Sequence, residues 1–142
     1  MAYTTTTVKI PASPDQVWQL IGGFDSLPDW LPFIPNSKVS EGGRVRHLDN
    51  PDGDAIVERL EVFNNKERYY SYSIIKAPFP ITDYLATIHV KEDRDGNSSL
   101  VEWSGSFTPV GVSEKEAINL FHGIFKDGLE ALNESFLAKK NK

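Results

Sequence analysis

Ser113-Glu114-Lys115-Glu116 is a capping box, with a serine hydroxyl placed to accept from the N3 backbone N–H and a glutamate at N3 to reach back. No proline follows it, so the pattern predicts one helix from about Ser113 to Leu137, roughly 25 residues and about 37 Å long. Ala117, Phe121, Ile124, Phe125, Gly128, Leu132 and Phe136 form one wide apolar stripe, whereas Glu114, Lys115, Lys126, Asp127, Glu130 and Glu134 fall largely elsewhere. A closing helix of this length, apolar on one side, needs a broad apolar surface, and the rest of the chain must supply it. Gly123 and Gly128 each cost about 1 kcal/mol inside a helix. They mark either close approach and space or a tolerated imperfection.

The surface is expected from strands. Thr4 to Ile10 is β-branched and reads as a first strand. Ser13-Pro14-Asp15-Gln16 then combines an N-cap, a proline at N1 and a capping box. It opens a short helix that buries Val17, Trp18, Leu20 and Ile21 and stops at Gly22-Gly23. Ser26 to Pro35 holds one further helical turn, limited by Pro32 and Pro35. Its Trp30, Leu31, Phe33 and Ile34 serve as core filler or as a pocket lid. From Lys38 to Phe107 the chain reads as six strands. They are punctuated at Gly42-Gly43, Asn50-Pro51-Asp52-Gly53, Asn64-Asn65, Lys76 to Pro80 and Asp95-Gly96-Asn97. The class is α+β, a curved seven-stranded antiparallel sheet wrapped around the closing helix, in a single domain over residues 1–142.

Within that meander one residue breaks the pattern. Ile56, Glu58, Leu60 and Val62 form the alternating inward set of one strand, and only Glu58 is polar. An unpaired buried carboxylate costs several kcal/mol, on the order of magnitude, so it finds a partner, takes up a proton or faces a wet cavity. Glu58 is therefore a satisfied structural carboxylate, for instance one paired with an arginine, or the polar anchor of an internal pocket, or else the strand is shifted in register by one residue. Tyr70, Tyr72 and Ile74 on the next strand and Tyr84, Ala86, Ile88 and Val90 on the one after also point inward. Buried tyrosine hydroxyls need partners, so Glu58, Tyr72 and Tyr84 are expected to form one polar cluster.

Composition excludes several classes. A net charge of -5 with no basic cluster argues against nucleic acid or an anionic membrane as the main partner. The absence of cysteine removes thiol chemistry and cysteine-ligated zinc. His47, His89 and His122 are far apart and match no metal-binding spacing, so no metal is expected. No phosphate-binding or dinucleotide-binding glycine motif and no nucleophile elbow occurs, and no cofactor is expected. No stretch approaches the roughly 20 apolar residues of a membrane span, and Met1 to Thr7 does not resemble a signal peptide. No membrane insertion and a cytoplasmic location are the expectations; oligomeric state is left open.

The order of elements, with Val57-Glu58-Arg59-Leu60-Glu61, Tyr72-Ser73-Ile74-Ile75, Pro80-Ile81-Thr82-Asp83-Tyr84 and Val101-Glu102-Trp103-Ser104-Gly105-Ser106-Phe107, resembles the helix-grip fold. It is similar to the polyketide cyclase/dehydrase-like branch of the START/Bet v 1 (SRPBCC) superfamily, from about Tyr3 to Phe136. A more distant resemblance is to the plant abscisic-acid receptors. It implies a pocket lined by Glu58, Tyr72, Tyr84, Glu102, Phe121 and Phe125, with Leu48 to Ala55 and Ala77 to Ile81 as mouth loops; Leu31 and Phe33 join the ligand-binding set from the segment read as a lid. Leu31 lies in the region of the receptors' carboxylate-binding lysine, which argues against recognition of an acid hormone. Periodicity favours an inward Trp103 over an inward Glu102, so the two readings of that strand differ.

Three functions remain open. A binding protein would enclose a small hydrophobic, cyclic molecule in a cavity of roughly 300 Å³ or more. A cyclase or dehydratase would use Glu58 as general base, with Tyr72 or Tyr84 stabilising an enolate oxygen. A partner-interaction module would turn over no ligand. Lys76 as a Schiff-base lysine is the weaker catalytic thought, because a loop-mouth lysine is ordinarily solvated.

Overall fold

The computed structural model describes residues 1–49, 55–93 and 97–140. The turn expected at Asn50-Pro51-Asp52-Gly53, with most of that mouth loop, and the Asp95-Gly96 turn lie outside the described residues. Strand β1 (Ala2–Ile10) leads through Ser13, whose Oγ accepts from Gln16 N at 3.3 Å, into helix α1 (Pro14–Ile21). Gly22 caps α1, and the single turn α2 (Leu27–Trp30) follows. Six strands then run in sequence: β2 (Asn36–Ser40), β3 (Val45–Asp49), β4 (Ala55–Asn64), β5 (Tyr69–Lys76), β6 (Ile81–Glu92) and β7 (Ser99–Pro109). Helix α3 (Glu114–Lys140) closes the chain. Its first turn is fixed by Ser113 Oγ accepting from Glu116 N at 3.0 Å, the expected cap.

The seven strands form one antiparallel sheet in the order β1-β7-β6-β5-β4-β3-β2. Among the described residues only the β1–β7 pairing joins strands distant in the chain, and it sets Thr6 opposite Trp103. Gly42 and Gly43 make the β2–β3 turn with φ of 71° and 90°, a conformation that glycine adopts without steric cost. Helix α3 lies across β1 and β7, and Ala117, Phe121, Phe125, Leu129, Leu132 and Phe136 are its buried side. The expected α+β helix-grip architecture is the observed one.

The two helix glycines separate cleanly. A Cβ on Gly128 would stand 2.8 Å from Trp103 Cζ3 and 2.9 Å from Leu31 Cδ2, so here the helix approaches the sheet and α2 as closely as the backbone allows. A Cβ on Gly123 would meet nothing within 4 Å. Neither glycine lines the internal cavity.

On β4 one inward assignment fails. Val62 is 46% exposed, because β4 shifts register between Leu60, opposite Tyr72, and Val62, opposite Ser71. The extra residue, Glu61, reverses which side chains face the core beyond it, as a β-bulge does. Upstream of the bulge the alternation holds, and Ile56 and Glu58 face inward.

Candidate functional site

Between the concave face of the sheet, α2 and α3 lies a cavity of about 220 Å³. Its walls are aliphatic and aromatic: Leu27, Leu31, Phe33 and Ile34 from α2 and the segment after it, Leu48, Ile56 and Ile74 from β3 to β5, and Phe121, Ile124 and Phe125 from α3. Phe79 and Trp103 complete the apolar lining. Four polar side chains reach it, Arg46, Glu58, Tyr72 and Tyr84. The volume falls short of the roughly 300 Å³ expected of a ligand site. The inward rings explain it: Phe121 sits 5.1 Å from Tyr84, 4.8 Å from Phe107 and 5.3 Å from Phe79 between centroids, filling the middle of the grip. A surface groove of about 410 Å³ beside Pro28, Asp29, Trp30 and Glu134 is larger, but none of the four polar residues lines it.

Glu58 has an arginine partner. Arg46, opposite it on β3, brings Nε to 2.7 Å and Nη2 to 2.7 Å, both from Glu58 Oε1. Arg46 Nη1 donates to Phe24 O at 3.0 Å and to Tyr70 Oη at 3.2 Å. The guanidinium also lies 4.1 Å from the Phe24 ring centroid and 4.7 Å from that of Tyr72. Arg46 is 1% and Glu58 6% exposed, so the pair is a buried one, whose desolvation is offset only by contacts this complete.

The tyrosines form a second branch. Trp103 Nε1 donates to Tyr72 Oη at 3.1 Å, and the Tyr72 and Tyr84 hydroxyls are 3.3 Å apart. The expected single cluster is thus two lines: Glu58–Arg46–Tyr70, and Trp103–Tyr72–Tyr84. They touch where the guanidinium lies over the Tyr72 ring.

Electrostatics follow burial. Loss of water raises the Glu58 carboxyl above its ordinary value, against the pull of Arg46. Burial alone would lower Arg46, but Tyr70, Glu58 and Tyr72 outweigh it and hold the guanidinium charged. Burial, with the nearby Glu58 charge, raises Tyr72. Burial, with Tyr72 and Glu58 beside it, raises Tyr84. Both phenols therefore remain protonated hydrogen-bonding groups across the ordinary pH range.

Of the positions foreseen, Leu31, Phe33, Glu58, Tyr72, Tyr84, Phe121 and Phe125 surround the cavity. Glu102 does not. It lies on the outer face of β7, 3.5 Å from Lys91 Nζ, while its neighbour Trp103 turns inward. The correction follows from β7 burying Val101, Trp103 and Phe107 in strict alternation. The α2 segment is both filler and wall, with Trp30 packed at 5.9 Å on Trp103 and Leu31 facing the cavity. Lys76 is exposed. The histidines have separate partners: His47 lies by Ser40, His89 by Glu67 O and His122 by Thr4. Arg46 went unforeseen, although a hairpin that sets Leu48 opposite Ile56 necessarily sets Arg46 opposite Glu58.

Comparison with known proteins follows the same lines. The family model for polyketide cyclase/dehydrase and lipid transport matches residues 1–136. The solved structure of XoxI from Bacillus cereus is 71% identical over 99% of each chain, with a TM-score of 0.96. A Bacillus thuringiensis protein is 70% identical, over 96% of this chain and 99% of that one, with a TM-score of 0.94. A START superfamily protein from Mycobacterium smegmatis shares the fold at 15% identity, with a TM-score of 0.80 over 97% of this chain and 99% of its own.

Proposed function

The chain belongs to the polyketide cyclase/dehydrase and lipid transport family, and on that footing we propose that it binds a small hydrophobic, cyclic molecule in the cavity between sheet and closing helix. The observation that carries this reading is the cavity's asymmetry, apolar on nearly every wall with Arg46, Glu58, Tyr72 and Tyr84 as its polar lining. Apolar walls supply affinity through burial, about 25 cal/mol per Å², and a few fixed polar groups supply orientation. An engineered cavity of about 150 Å³ admits benzene, so about 220 Å³ suits one or two fused rings. The occupant in this reading is smaller than a sterol or an extended polyketide.

Binding is favoured over turnover by the state of Glu58. A general base works best with its carboxylate unengaged and its pKa near the working pH. Here Arg46 holds Oε1 from two nitrogens, so that oxygen is already engaged even though burial lifts the carboxyl. A net charge of -5 also disfavours a nucleic acid or an anionic membrane as the main partner. Among the described residues no helix is long and apolar enough to cross a membrane.

Native mass spectrometry of freshly purified protein tests the reading. A small molecule that leaves on mild activation and rebinds after extraction supports it. Apoprotein alone, with no saturable uptake of one- and two-ring compounds, contradicts it.

A further inference from the structure

We propose that the occupant of this cavity is an uncharged one- or two-ring compound with a ring hydroxyl, and that carboxylic acids of the same size are rejected; this rests on the binding reading above. The inference comes from counting the donors and acceptors that the polar residues have left. An arginine has five N–H groups. Four are committed in Arg46, through Nε and Nη2 to Glu58 Oε1 and through Nη1 to Phe24 O and Tyr70 Oη. The Trp103 N–H is spent on Tyr72 Oη. Tyr72 and Tyr84 have two hydroxyl protons between them and share one hydrogen bond. Whichever way that bond runs, one phenolic O–H is left over. On the acceptor side, both close contacts from Arg46 land on Glu58 Oε1, and among the described residues nothing donates to Oε2.

The fifth N–H, the second on Nη2, belongs to a guanidinium whose charge Glu58 already balances; beside it the cavity offers one hydroxyl donor and one carboxylate acceptor. A ring hydroxyl answers both, accepting from the tyrosine while donating to Glu58 Oε2. An ether or ketone answers only the donor. A carboxylate fares worst: Arg46 is already neutralised by Glu58, so the two charged lining residues sum to zero. The incoming anion would lie near another carboxylate, without a free cation and out of water. Leu31, at the wall, supplies no charge in its place.

The probes are 2-naphthol, 2-methoxynaphthalene and 2-naphthoate, matched in ring size and differing in one group. Binding is followed by amide chemical-shift titration of the whole chain. The expected order has 2-naphthol bound about tenfold or more tighter than either of the others, the ratio expected for one hydrogen bond to a charged group. Tyr84→Phe and Glu58→Gln should each shrink the naphthol-to-methoxynaphthalene ratio by several-fold, with the backbone spectrum preserved. Tyr84→Phe keeps ring and packing and so guards against a Glu58→Gln variant that fails to fold. Naphthoate binding as tightly as naphthol, or equal binding of all three, overturns the inference and leaves the binding reading standing. Absence of binding by all three overturns both.

Discussion

Arg46 and Glu58 face each other across β3 and β4, and the two closest contacts from the guanidinium, each 2.7 Å, end on the same carboxylate oxygen. That geometry joins β3 to β4 beneath the cavity, and among the described residues nothing donates to the second oxygen. Arg46 has other partners in Phe24, Tyr70 and Tyr72, whereas Glu58 depends on Arg46.

The two halves of the pair should respond unequally to removal. Arg46→Met leaves a buried carboxylate without its cation and should lower stability by about 3–5 kcal/mol at neutral pH. Glu58→Gln leaves an arginine still held by a carbonyl, a hydroxyl and two rings, and should cost markedly less. Urea unfolding of both variants measures the difference. Equal losses would mean that the pair, rather than the arginine's wider environment, dominates.

The pH dependence has a defined sign. Because burial lifts the Glu58 carboxyl in the folded protein, the folded state binds that proton more readily than the unfolded chain does. Its contribution to stability is fully present below the unfolded value, about 4.3, and is lost as pH rises through the higher folded value. A carbonyl-detected NMR titration should find Glu58 titrating above the exposed carboxylates. In Arg46→Met it should move further up.

Gly123 and Gly128 should diverge under the same substitution. Gly123→Ala meets open space and should gain about 0.5–1 kcal/mol from helix propensity. Gly128→Ala drives a methyl to 2.8 Å from Trp103 and should lose about 1–3 kcal/mol through overpacking, exceeding any helical gain. Thermal unfolding of the two variants, with midpoints moving in opposite directions, checks both.

Tyr72→Phe removes the acceptor of the Trp103 N–H and the neighbour of the Tyr84 hydroxyl. An orphaned buried donor costs about 1–3 kcal/mol. The indole N–H resonance of Trp103 should shift and its exchange with solvent should quicken. An unchanged resonance would remove Tyr72 from the line.

Much of this could be read from residue order because the signals are local. The boxes at Ser13 and Ser113 start their helices where expected, and the alternation of Tyr70, Tyr72, Tyr84 and Ala86 gives the inner face directly. What escaped depends on pairing. Arg46 stands in a short strand, and its burial follows only from its position opposite Glu58. The bulge at Glu61 exposes Val62 without any glycine or proline to announce it. Glu102 was placed by resemblance against the alternation of its own strand, and the alternation held. Cavity size is a difference between the large volume enclosed and the rings that fill it, and periodicity carries neither.

The central claim, that a small ring compound enters between sheet and closing helix, is tested most directly by intermolecular NOEs from bound 2-naphthol to the labelled protein. The account predicts contacts to the methyls of Leu31 and Ile56 and to the rings of Tyr84, Phe121 and Phe125, which line the cavity from separate elements. Contacts confined to Pro28, Pro32 and Ala131, in the groove on α2 and α3, would contradict it.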